Sequence, residues 1–154
     1  MTTYIDSSAL VAVYVPERFS VPARRALSKV PRVPYTLLHE LEVANAFALL
    51  LGRRGITGAE HRAIRAQLRE DVEAQRLVPT ALDWPQAFAG ACELSDSCTA
   101  TLLTRSLDLL HVAAARALGC KVFVSADDRQ LAAAKGTGLK TIDIKRATAR
   151  SPRR

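Results

Sequence analysis

Short apolar runs alternate with longer helical stretches along this chain, and that alternation admits few folds. TTYI, RVPYT, RLVPTAL, KVFVSA and LKTIDI read as strands, and each is followed by a segment long enough to form one helix or more, except the last. Strands joined through helices run parallel, and a parallel sheet needs helices over both faces. The expected fold is α/β, in three layers α/β/α with a central, mostly parallel sheet.

The punctuation supports this reading. Asp6 or Ser7 caps a helix beginning at DSSALVAVYV, which Pro16 stops. A second helix covers about 20–29, and Pro31 and Pro34 push the following residues towards extended backbone. TLLHELEVANAFALLLG is a long apolar helix ending at Gly52; Thr57 caps GAEHRAIRAQLREDVEAQR, whose charges mark a solvated face. Asp83 caps a helix over about 84–95, and 95–106 reads as a polar loop or frayed helix end. Leu107 to Leu118 is helical up to Gly119, and DDRQLAAAKG is a helix with a glycine end.

A chain of 154 residues makes one domain with a core of its own. Cys92, Cys98 and Cys120 are odd in number and lack a CxxC pairing, which argues against a disulfide framework or a zinc site. No apolar run reaches the ~18 residues of a membrane span and no signal peptide opens the chain, so a cytoplasmic protein without membrane contact is expected. The net charge of +7 invites a polyanionic partner, but five positive charges sit in residues 145–154, leaving +2 for 1–144. The expected organisation is a domain over 1–144 and a basic, flexible, solvated tail over 145–154.

Four acids fall where they need explaining. Asp6 closes the first strand and Asp127 follows KVFVSA, and ligands of open α/β sheets gather beyond such strand ends. Glu42 lies in the apolar helix; Glu40 is about 200° away around it, whereas Asn45 shares a face with Glu42. Taking Asn45, Leu38 and Leu49 to mark the inner face selects Glu42. Asp108 opens LDLLHVAAARALG, where an acid is also favoured as a cap. His111, one turn on, is placed to orient Asp108 or to contact substrate, but a lone histidine on an Ala-rich face reads foremost as a core residue. Asp127 and Asp128 both follow their strand; Asp127 is nearer its end and is preferred, with Ser125 placed to bond a carboxylate or a metal-bound water.

If these acids converge, like charges 4 Å apart cost about 4 kcal/mol per pair at an effective dielectric of 20, and protons or a cation must relieve them. Mg²⁺ suits oxygen donors, keeps several waters and bridges to phosphate oxygens. Metal-assisted phosphodiester hydrolysis is the chemistry that follows, with Arg105, Arg129 and the tail as sources of phosphate attraction.

MTTYIDSSAL, the ELEVANA helix, RSLDLLHVAAARALG and VFVSADDRQLAAAKGTGL together resemble PIN-domain ribonucleases, most closely toxins of VapC type, over the chain to about residue 142. The resemblance implies a PIN-like fold over 1–144. It also implies an acidic quartet of Asp6, Glu42, Asp108 and Asp127 that is catalytic and holds Mg²⁺ or Mn²⁺, with Asn45 and Ser125 as polar companions. Asp128 is a departure, because the family more often has a neutral or basic residue there, so either acid of the pair is a candidate to face the metal. The implied activity is an endoribonuclease toxin of a toxin–antitoxin pair that cuts tRNA or ribosomal RNA and inhibits translation. A VapB-like antitoxin and a homodimer complete the implied partners.

Two other readings compete. A catalytically silent PIN module would bind RNA or a protein without cutting, but such a module has no reason to keep four mutually repelling acids. A phosphatase with an aspartyl nucleophile would carry a second Asp two residues after Asp6, where this chain has Ser8.

Overall fold

The computed structural model describes residues 2–146. In chain order the elements are β1 (Thr3–Ile5), α1 (Ser7–Tyr14), α2 (Ser20–Ser28), β2 (Val33–Tyr35), α3 (Leu37–Gly52), α4 (Gly58–Glu73) and β3 (Leu77–Pro79). Then come α5 (Trp84–Leu94), a π-helical turn (Ser95–Thr99), α6 (Ala100–Leu102), α7 (Ser106–Ala117), β4 (Val122–Ser125), α8 (Asp128–Gly136) and β5 (Lys140–Asp143).

The helix starts follow the local chemistry. The Asp6 carboxylate accepts the Ala9 N–H, and the Asp83 carboxylate accepts that of Gln86. Thr57 and Glu60 form a reciprocal capping box on α4. At 95–106 the chain is not an open loop: α5 runs on through the π turn into α6 and stops only at Leu103, whose φ of 54° is left-handed. The Ser97 hydroxyl donates back to the Leu94 carbonyl, a bond that competes with the regular helical ladder there.

Two parallel ladders form. β1 pairs with β4, Ile5 opposite Val124, and β4 pairs with β5, Val124 opposite Ile142. β2 pairs with β3, Val33 opposite Leu77. β1 lies beside β2, but among the described residues no strand pairing joins them. The reason is chemical. Val33 donates its N–H to Arg76 on the β3 side, and Thr80 donates to Tyr35, so the intervening Pro34 turns its backbone towards β1 and has no N–H to offer. The donor that Pro34 lacks is supplied from a side chain: His39 Nε2 donates to the Ile5 carbonyl at 2.9 Å.

Side chains alternate across the strands into two apolar layers. Tyr4 and Phe123 stack with ring centres 5.6 Å apart and pack with Leu109, Val112 and Leu131 under α5, α7 and α8. Ile5 and Val124 point the other way, into Leu10, Val13, Phe47 and Leu77 under α1 to α4. Three layers α/β/α result, with a central parallel sheet. Asp71, buried on α4, is neutralised there by Arg76 and accepts the Tyr14 hydroxyl at 2.6 Å, tying α4 to α1. Cys92 is an exposed thiol and Cys98 a half-buried one, while Cys120 is buried in the core. No helix among the described residues is long and apolar enough to cross a membrane.

His39 carries a testable consequence. Its Nδ1 accepts the Thr36 N–H at 3.1 Å while Nε2 donates, which holds the ring as one neutral tautomer. Burial, and then the neighbouring charge of His111, push its pKa from 6.5 down to about 3. The unfolded chain therefore binds a proton below about pH 6.5 that the folded chain refuses until about pH 3. Stability falls as pH falls through that window, by about 1.4 kcal/mol per pH unit from this residue. Urea unfolding of wild type and His39→Gln between pH 7 and 4 is expected to show this extra slope in wild type alone. Equal slopes would mean that the folded state accommodates the charged ring.

Candidate active site

The carboxyl ends of β1 and β4 open into a cleft of about 390 Å³ lined by Asp6, Glu42, Asp108 and Asp127 together with Ser7, Ser8, Arg105, His111 and Gln130. Asp6 is buried at the end of β1. Its Oδ1 takes the Ala9 N–H, and its Oδ2 lies 2.7 Å from the Ser8 hydroxyl and 2.9 Å from that of Ser125. Burial pushes its carboxyl up from the ordinary value, against the charge of His111 and these hydrogen bonds. Ser125 also receives the Asp127 N–H at 2.9 Å and lies 2.8 Å from Gln130 Oε1, so it ties the two strand-end acids together.

Asp127 caps α8: its Oδ1 accepts the N–H groups of Arg129 and Gln130, leaving Oδ2 towards the cleft. Asp128 points away, exposed, and pairs with Lys145 at 2.9 Å, which holds its carboxyl below the usual range. Lys145 and Arg146, the latter paired with Asp143, are the only tail residues described; 147–154 lie outside the described residues.

Asp108 is both a helix-start acid and a cleft residue. Arg105 grips it with Nε at 2.8 Å and Nη2 at 3.2 Å, and Nη2 also lies 3.6 Å from Asp127 Oδ2. Arg105, which the sequence suggested as a phosphate attractor, thus touches the acids themselves.

Glu42 reaches in from α3, and its Oε2 meets His111 Nε2 at 2.5 Å. Burial alone would raise its carboxyl, but the hydrogen bond and charge of His111, with help from Ser7, bring it below the usual value. His111 in turn has Tyr4 OH on its Nδ1 at 2.8 Å. It therefore orients Glu42, not Asp108, and is the site residue that sequence reasoning undervalued. The available signal was its spacing: three residues after Asp108, it shares that acid's face of α7. Of the three residues taken to mark the inner face, Leu38 is buried, whereas Asn45 is exposed and does not line the cleft and Leu49 is exposed too; the buried residues of α3 are Leu38, His39, Val43 and Phe47. Glu42 sits at the border of that buried face.

A larger groove of about 740 Å³ runs between α3 and α4, lined by Leu37, Phe47, Leu68 and Val72 among others, but the acids do not meet there. Among the described residues no three acids, histidines or cysteines stand close enough to grip one ion as they are. The donor set nevertheless fits a hard divalent cation. All four candidates offer carboxylate oxygen, and Asp6 is buried against hydroxyl and N–H donors only. Asp108 and Asp127 are drawn to a guanidinium, and Glu42 to an imidazole.

Residues 3–136 match the family model of the PIN domain. Among solved structures, the chain resembles FitAcB from Neisseria gonorrhoeae with a TM-score of 0.66 and 14% identity, covering 94% of this chain and 99% of that one. It resembles PAE2754 from Pyrobaculum aerophilum with a TM-score of 0.62 and 17% identity, covering 97% of each chain. A third likeness is to VapBC-1 from nontypeable Haemophilus influenzae, with a TM-score of 0.57 and 14% identity over 94% of this chain and 99% of that one. At these identities the likeness is one of fold. No curated protein sequence matches the chain.

Proposed function

The chain belongs to the PIN domain family, whose members are generally nucleases, and from that premise we propose that it is a metal-dependent endoribonuclease of VapC type, the toxin of a toxin–antitoxin pair. The observation that supports this is that Asp6, Glu42, Asp108 and Asp127 all line one cleft at the strand ends. These acids would hold Mg²⁺ or Mn²⁺, which when bound activates water and offsets charge developing at phosphorus.

The chain's own groups prepare that site. Ser8, Ser125 and the Ala9 N–H fix Asp6; the start of α8 fixes Asp127; His111 aims Glu42. Arg129, at the mouth beside Asp127, supplies attraction for a phosphate backbone, and a tail over 145–154 would add to it. Structured RNA such as tRNA or ribosomal RNA is the proposed substrate, with inhibition of translation as the result of cutting it. A VapB-like antitoxin is the proposed protein partner. Exposed Leu37 and Leu41 beside the larger groove, and Leu103 and Phe88 elsewhere, offer apolar surface for that partner and for a homodimer.

Two measurements test the proposal. Purified protein is expected to cleave tRNA or ribosomal RNA with Mg²⁺ or Mn²⁺ and to stop in excess EDTA, and its expression is expected to arrest growth unless the neighbouring small gene is co-expressed. Binding of RNA without cleavage under any divalent ion would favour the silent module instead.

A further inference from the structure

Arg105 reaches into the cleft where two of the candidate metal ligands face each other. Both oxygens of Asp108 are engaged by its guanidinium, at 2.8 and 3.2 Å. Asp127 has its Oδ1 committed to the N–H groups that start α8, and its remaining Oδ2 faces the same guanidinium at 3.6 Å. The oxygens that these two acids could lend to a cation are thus already turned to one. Arg129 does not duplicate this role, since it bonds the Leu103 carbonyl and approaches only Asp127, at 3.8 Å.

We propose that Arg105 is a built-in competitor for the divalent ion, neutralising Asp108 and Asp127 in the metal-free chain and leaving them when metal binds. The inference rests on reading the cleft as a metal centre. Exposure decides which partner can leave: the Arg105 side chain is 68% exposed, against 11% for Asp108 and 21% for Asp127. The guanidinium can swing into water at little loss, while the carboxylates are held by their helices. It cannot stay, because a cation without lone pairs beside a divalent ion adds repulsion and blocks the ligand oxygens. Arg105 therefore sets how tightly the empty site takes metal, as a positioning residue that acts through Asp108 and Asp127.

The test is Mn²⁺ titration calorimetry on the full chain, comparing wild type, Arg105→Gln, Arg105→Lys and Arg116→Gln. Arg105→Gln is expected to tighten Mn²⁺ binding about fivefold, since an exposed pair is worth up to about a factor of that size. Arg105→Lys, which keeps the charge and loses the fork, should fall between. Arg116→Gln removes an equal charge at the far end of α7 and should leave the affinity within about twofold, since exposed charges beyond a Debye length are screened. Without metal, Arg105→Gln should melt below wild type, and saturating Mn²⁺ should shrink that gap. Unchanged or weaker Mn²⁺ binding in Arg105→Gln overturns the proposal, as does equal tightening in Arg116→Gln. Mn²⁺ binding by neither wild type nor Arg105→Gln overturns the metal centre itself, and the proposal with it.

Discussion

Asp6→Asn is expected to lower RNA cleavage on the order of a thousandfold while leaving the metal-free protein at least as stable as wild type. Both halves follow from one environment. Asp6 is buried, it touches hydroxyl and N–H donors and no cation, and burial raises its carboxyl pKa. A carboxyl raised in the folded state binds its proton more tightly there than in the unfolded chain. Its stabilising contribution is present at low pH and is lost as pH rises through the folded value, so at neutral pH the charged group burdens the empty site. Asparagine removes that charge, and its carbonyl can still accept the Ala9 N–H as helix cap. Single-turnover cleavage and thermal melting, both with and without Mg²⁺, check the pair of expectations. Cleavage at wild-type rates would remove Asp6 from the chemistry, and a large loss of melting temperature would make its role structural.

The second large effect belongs to His111. His111→Ala is expected to reduce cleavage about 10- to 100-fold, the usual consequence of deleting a group that orients a ligand. It should also cost about 2–4 kcal/mol of stability, because the vacated space is enclosed and Tyr4 loses its buried partner. His111→Gln keeps a donor near Glu42 and should recover part of the activity. Cleavage unaffected by the alanine variant would show that Glu42 needs no imidazole to be placed.

How far the sequence reached depends on how local each cause is. Asp6 and Asp127 were legible because a strand end and a helix start are read from neighbouring residues, and so were the caps at Thr57 and Asp83. Glu42 was separated from Glu40 by helix geometry, but the face inferred for Asn45 was not the inner one. Helix α3 is apolar nearly all round, so Leu37, Leu41 and Leu49 lie exposed while His39 is buried, and periodicity carries no signal for which side faces in. His39 was illegible for another reason: its burial answers the backbone donor missing at Pro34, which appears only once β1 and β2 lie side by side. Likewise His111 owes its role to Glu42 on another element, and Arg105 its reach to Asp127, at distances along the chain that pattern reading does not span, although the pairing of Arg105 with Asp108 is local.

The proline gap between the two ladders also gives the cleft its mechanical character. Asp6 and Asp127 hang from one ladder, whereas Glu42 rides on the helix that continues from the other. Two imidazoles stand in for the missing rungs: His39 bonds the Ile5 carbonyl across the seam, and His111 bonds Glu42 itself. The distance of Glu42 from its fellow acids is therefore set by side-chain bonds and packing, not by strand pairing.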